Sequence, residues 1–222
     1  MEAVCRKYGA LLILDEVMCG MGRTGTMHAW QQEGVGPDIQ TIGKCLGGGY
    51  QPVAGVLASR HVIDVLRQGS SVFVHGHTYQ GHPAACAAAL EVQRIIRDED
   101  LLSNVRTKGP HLSKSLFQKL GGHPNVGDIR GRGLFWGIEF VKNKETGEPF
   151  PLSDQVAMEI SELALGKEYA ISVYPGTGTA RDGLAGDHII LAPPYNITGD
   201  DVELITSTVK RLVEDYFKRK VG

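Results

Sequence analysis

The stretch "LLILDEVMCGMGRTG", residues 11–25, decides how the rest of the chain is read. It continues the apolar run "ALLILD" (10–15), which ends in an acid and has the pattern of a strand buried on both faces of a sheet. Behind it stands Gly20-x-Gly22-x-x-Gly25, the spacing of a dinucleotide-binding glycine turn. In that motif the first glycine follows the strand directly, so that a helix N-terminus points at the phosphates. Here Asp15-Glu16-Val17-Met18-Cys19 intervenes, and two carboxylates beside a pyrophosphate would repel it. Residues 26–32 also make a poor packing helix. The spacing therefore argues against an NAD-binding oxidoreductase, which is kept only as an alternative.

Working outward, strands and helices alternate over the first half. "DIQTIG" (38–43) and "AGVLAS" (54–59) read as short strands around the cluster Gly47-Gly48-Gly49. "SRHVIDVLRQ" (59–68) has a Ser cap and helical apolar spacing. Residues 82–99 read as a strong helix, with Pro83 in the first turn and Leu90, Ile95 and Ile96 spaced for a buried face. Such alternation predicts an α/β layer with mostly parallel strands.

The pattern changes after about residue 105, where the domain boundary is expected. An amphipathic helix over 104–120 is interrupted or started at Gly109-Pro110. In "VGDIRGRGLFWGIEFV" (126–141), Leu134, Trp136, Ile138 and Phe140 alternate along one face of a strand. A helix over 153–166, strands at 170–175 and 188–194 and a helix over 199–217 complete an α+β unit. Thr198 with its following acids forms the last helix's cap. "GTGTARDGLAGD" (176–187) reads as a flexible loop.

Composition limits the function classes. Apolar residues make up 42% and charged residues 22%, ordinary for a globular chain, and the net charge of -2 favours neither a nucleic-acid nor a membrane partner. No apolar run approaches the roughly 20 residues of a membrane helix, and no leader of basic-then-apolar type opens the sequence. Cys5, Cys19, Cys45 and Cys86 are scattered, which predicts small, buried, reduced thiols and an intracellular compartment, cytoplasmic or mitochondrial. A helix end running straight into a core strand at "MEAVCRKYGALLILDEV" suggests the C-terminal portion of something longer.

Three further signals concern chemistry. "GK" at Gly43-Lys44 is not a P-loop, because Asp38 stands where the first glycine belongs and Cys45 where Ser or Thr should follow. His75, His77 and His82 could meet a metal, but no acid or cysteine lies nearby, so a polar pocket lining is expected and no metal site. Asp15 and Lys44 end neighbouring strands, where α/β sheets bind ligands. An acid can keep a heterocyclic nitrogen protonated, and a lysine can form a Schiff base. Pyridoxal 5'-phosphate (PLP) chemistry requires that combination.

At this point the sequence resembles the class III (omega-type) PLP-dependent aminotransferases, and the fungal members most of all. The resemblance rests on "LILDEVMCGMGRTGTMHAWQQEGVGPDIQTIGKCLGGGYQPVAGVLAS" and "HGHTYQGHPAACAAALEV" and, more loosely, on "GRGLFWGIEFV" and "IILAPPYNIT". It implies an α/β protein of fold type I: the C-terminal part of the large parallel-sheet PLP domain (1–105) and an α+β C-terminal small domain (106–222). It implies a transaminase moving an amino group between an amino acid or omega-amine and a keto acid. Asp15 would pair with the ring nitrogen, Lys44 would hold PLP as a Schiff base and move the proton, and Val17 would pack on one ring face. Thr78, with the backbone at His77, would bind the phosphate of the neighbouring subunit's cofactor, which implies a homodimer with shared active sites. Family members carry a phosphate loop and a stacking aromatic in a segment before these motifs. Met18 replaces a common glutamine, and Ile190 stands where ornithine-type and GABA-type members place a carboxylate-gripping arginine, with Arg181 as a nearby substitute. A non-catalytic fragment or interaction module is the rival reading.

Overall fold

The computed structural model describes residues 1–180 and 183–221. The chain divides into two compact units, Met1–Ser103 and Asn104–Gly222. No described helix is long and apolar enough to cross a membrane.

In the first unit, α1 (Glu2–Tyr8) ends at Gly9, whose left-handed backbone (φ 65) turns the chain toward the sheet. The sheet has the order β1 (Ile13–Asp15), β2 (Ile39–Ile42), β3 (Gly55–Ala58). β1 and β2 are parallel, with Asp15 opposite Thr41. β3 returns antiparallel to β2, against the parallel expectation. Its connection holds a 3-10 turn at Lys44–Leu46 and no crossover helix, so the chain simply reverses.

The apolar run at 10–15 is not buried on both faces either. Among the described residues β1 pairs on one side only, with β2. Its side chains alternate, so Leu12 is buried while Ile13 is 59% exposed.

α2 (Arg60–Gln68) and α3 (Pro83–Asp98) complete this unit. Pro83 begins α3, and the His82 Nδ1 accepts the Ala85 N–H at 3.3 Å. The buried face of α3 is Ala85, Ala89 and Ile96, whereas Leu90 and Ile95 are exposed. Small alanines let α3 approach the glycine-rich turn after β2, and Gln93 secures it there: Nε2 donates to the carbonyls of Leu46 (3.0 Å) and Cys45 (3.4 Å).

In the second unit α4 (Leu101–Leu120) runs unbroken through Pro110. A Cβ on Gly109 would lie 2.8 Å from the Gly133 backbone, so this glycine serves a close approach and does not break the helix. β4 (Val126–Arg132) and β5 (Phe135–Asn143) form a hairpin turning at Gly133 (φ 58), with Leu134 buried in the turn. A single strand was expected there. Trp136, Ile138 and Phe140 point inward from β5.

β6 (Glu148–Pro149) pairs with β5, and α5 (Val156–Ala164) follows a 3-10 turn. β7 (Tyr174–Ala180) and β8 (Ala185–Leu191) complete the order β4-β5-β8-β7. Most of the expected loop at 176–187 is thus hairpin. Gly176 there meets a packing need: a Cβ on it would fall 2.2 Å from the His188 ring. Arg181 lies outside the described residues. α6 (Gly199–Val221) is capped as expected, with the Asp201 amide donating to Thr198 Oγ1 and the Thr198 amide to Asp201 Oδ2.

Among the described residues, one carboxylate is buried in this core, besides the buried hydroxyls of Ser115 and Thr206. Asp187 is buried; its Oδ1 accepts the Ala157 N–H at 2.9 Å, at the start of α5, and its Oδ2 is buried without a partner.

The thiols also differ from expectation. Cys5, Cys19 and Cys45 are half-buried and Cys86 is exposed, all four free. Each lies on a turn or helix flank of the first unit, where neighbours cover it only partly.

Candidate functional site

β1 ends at Asp15, and the carboxylate is fixed by two donors on one oxygen. Oδ1 accepts the Val17 N–H at 3.0 Å, a local Asx turn, and the Thr41 hydroxyl at 2.8 Å from the neighbouring strand. These two bonds hold the Asp15 carboxyl below its ordinary range; Lys44 adds to the effect, and partial desolvation opposes it. Among the described residues no hydrogen bond reaches Oδ2. The side chain is exposed, so a ligand can approach that oxygen.

Lys44 follows β2 closely and is likewise exposed. Its backbone is left-handed (φ 43), a region that costs a residue with a Cβ about 1–2 kcal/mol. The turn is held by the Gly47 amide on the Lys44 carbonyl (3.2 Å) and by Gln93 of α3. Val17 lies beside Gly43: a Cβ there would touch Val17 Cγ1 at 3.4 Å. Asp15, Val17 and Lys44 thus share the carboxyl ends of two adjacent parallel strands.

Glu16 does something different from its neighbour, and adjacency in the chain does not by itself separate the two acids. It is 3% exposed and accepts three hydrogen bonds: from Ala29 N–H (2.8 Å), Trp30 N–H (2.7 Å) and Gln40 Nε2 (3.0 Å). Gln40 Oε1 accepts from Trp30 Nε1 at 3.0 Å, tying β2 into the same network. The alternation of side chains along a strand was the available clue, since adjacent residues face opposite sides.

This network also disposes of the dinucleotide reading. The 3-10 turn Ala29–Gln32 follows the glycines, and its first amides are already taken by the Glu16 carboxylate. Gly22 and Gly25 have φ of 98 and 105 and form a turn, and a Cβ on Gly20 would strike the Glu16 carbonyl at 2.8 Å. A pyrophosphate would find a carboxylate where it needs N–H groups.

His77 and Thr78 lie in the exposed segment 71–82. His77 Nδ1 accepts the Tyr79 N–H (3.2 Å), and its carbonyl accepts the Gln80 N–H (3.0 Å), which closes a turn around Thr78. Among the described residues no hydrogen bond joins this segment to Asp15 or Lys44. The other histidines are not gathered with it: His82 caps α3, and His75 packs edge-on against Phe73.

Ile190 lies on β8 in an open cleft of the second unit with Arg130, Phe135, Glu139 and His188. Arg130, the cationic group lining it, is engaged by Asp128 and Glu139. Burial pushes His188 below its ordinary range, with Arg130 adding to the effect.

The model of the class-III aminotransferase family matches residues 1–213. An aminotransferase of Gibberella zeae is 58% identical over 213 residues, which are 96% of this chain and 41% of that one. An uncharacterized aminotransferase of Schizosaccharomyces pombe is 49% identical over 96% of this chain and 46% of its own length. The crystal structure of an amine transaminase from an uncultivated Pseudomonas species, in its PLP-bound form, superposes with a TM-score of 0.83 at 33% identity, covering 95% of this chain and 46% of that one. The chain spans less than half the length of each of these proteins. Its mixed α/β architecture is that of fold type I, and the chain belongs to the class III aminotransferases.

Proposed function

We propose that this chain supplies the ring-binding part of a PLP site in a transaminase that moves an amino group between an amino acid or omega-amine and a keto acid. One observation carries the reading. Asp15 is held ionised with Oδ2 open, and Lys44 sits at the end of the next strand. That donor set fits a protonated pyridine ring with an aldehyde. When bound, PLP supplies an electron sink for the pair left on the substrate's amino carbon.

The chain's own groups then have distinct tasks. Asp15 Oδ2 accepts the ring N–H and keeps the ring cationic. Lys44 Nζ would anchor the cofactor and would carry the proton at the substrate's amino carbon. Val17 closes one face of the ring against water. His77 and Thr78 serve the phosphate of a second subunit's site in a homodimer, with residues 1–105 belonging to the large domain and 106–222 to the small one. Four free thiols suit a reducing compartment, cytosolic or mitochondrial.

The exposed edge of β1 supports a second reading, an interaction module that does not retain cofactor by itself. Mixing the chain with PLP and reducing with borohydride separates the two. The first reading predicts a visible band that borohydride bleaches while fixing the pyridoxyl group covalently on Lys44, with both band and label lost in Lys44→Ala. Equal labelling of other lysines, with Lys44→Ala indistinguishable from wild type, would overturn it in favour of the second.

A further inference from the structure

We propose that Thr41 is the positioning residue of this site: its hydroxyl fixes the plane of the Asp15 carboxylate so that Oδ2 faces a cationic ring nitrogen. The inference rests on the PLP reading above for the nature of the ligand, but its geometry belongs to the chain alone.

Asp15 ends on a carboxyl torsion that is intrinsically broad, so one hydrogen bond leaves the plane of the group free to rock. The Val17 amide provides that one bond, from the residue two positions on. It ties the carboxylate to its own loop and says nothing about the sheet.

The Thr41 hydroxyl provides the second, at 2.8 Å, from the residue directly opposite Asp15 in the parallel register. Two donors, one from the loop after β1 and one from β2, converge on Oδ1, and together they define a plane. The lone pairs of Oδ2 are then directed as a consequence, without any residue touching it.

Threonine suits this task. Its branched Cβ restricts χ1, so the hydroxyl is presented with little rotational loss. A hydroxyl also gives its single proton to one acceptor. Bound to Asp15 Oδ1, it orients the carboxylate and cannot compete with a ligand for Oδ2. The opposite face of the strand end is secured separately, by Glu16 and Gln40, so removing the Thr41 hydroxyl leaves the β1–β2 pairing in place.

The test uses Thr41→Val, which keeps the shape and removes the hydroxyl, and Thr41→Ser, which restores it. Two readouts are followed. In the chain without cofactor, carbon-detected NMR follows the Asp15 carboxyl titration; Thr41→Val should raise its midpoint and Thr41→Ser should return it toward wild type. In the second, the affinity for pyridoxamine 5'-phosphate is measured. That probe carries the ring and has no aldehyde to react with Lys44, so it reports ring contacts. Losing a hydrogen bond to a charged group predicts about tenfold weaker binding for Thr41→Val, recovered largely in Thr41→Ser.

An unchanged Asp15 midpoint in a folded Thr41→Val chain overturns the proposal, and so does an affinity loss that serine fails to recover. If the wild-type chain binds no pyridoxamine 5'-phosphate, the cofactor reading fails. The titration still decides whether Thr41 orients Asp15.

Discussion

The two units are built from similar parts, a sheet with helices against it, yet they are held together differently. In Asn104–Gly222 the inward residues of β5 and β8 close against α4, α5 and α6: Leu112, Leu116, Ile138, Phe140, Ile160, Ile189 and Leu212 are fully buried. Phe217 gathers Phe140, Phe150 and Tyr216 around it. Met1–Ser103 buries few large side chains, Leu12, Met21 and Ile42 among them, and leaves Ile13, Val56, Leu57 and Val65 exposed. Its order at the candidate site comes from a polar network instead, Glu16 with Ala29, Trp30 and Gln40. One unit is fixed by burial, the other by directional bonds. Directional bonds set angles well but contribute little net stability, about 0.5–1.5 kcal/mol each.

The sharpest way to break this contrast is to separate the units. A fragment of residues 101–222, which keeps α4 whole, should unfold cooperatively in urea, and a fragment of residues 1–100 should show no cooperative transition. Equal transitions in both would mean that apolar burial does not distinguish them. Within the whole chain, Leu116→Ala should cost about 3 kcal/mol, as a fully buried leucine does, and Leu57→Ala about 0.5 kcal/mol or less. Urea midpoints of the two variants check this, and similar losses would contradict the picture of an open first unit.

The smallest effect probes the exception inside the packed unit. Burial raises the Asp187 carboxyl above its ordinary range, with the Ala157 N–H opposing. A raised value means that the folded state prefers the protonated form. The stability it carries is therefore full below the ordinary carboxyl value of about 3.9 and is lost as pH rises through the raised one. Asp187→Asn keeps an acceptor for Ala157 and never ionises, so its stability relative to wild type should improve from pH 4 to pH 7. A difference that stays flat with pH would show that burial does not raise the Asp187 carboxyl in the folded state.

Much of this was legible in the residues. The helices were, because spacing and caps are local: Pro83 and the Thr198–Asp201 pair mark their helix starts directly. Asp15 and Lys44 stood out because an acid and a lysine at strand ends have few bland uses together. Thr41 and Glu16 did not, since their partners lie on other segments and are fixed by register. Nothing in "DIQTIG" says that its threonine will stand opposite Asp15. The reversal of β3 and the hairpin at 174–191 were missed for another reason. Glycine-rich stretches read as loose chain, whereas Gly176 is there because a histidine ring fills the space a Cβ would occupy. Sequence shows that a side chain is missing, and only packing shows why.

The left-handed backbone at Lys44 sets two kinds of selection against each other. A screen for heat resistance alone would favour glycine at this codon, gaining about 1 kcal/mol from relieved strain. The same change deletes the amine. Engineering campaigns that rank variants by melting temperature would thus count the loss of the lysine as progress.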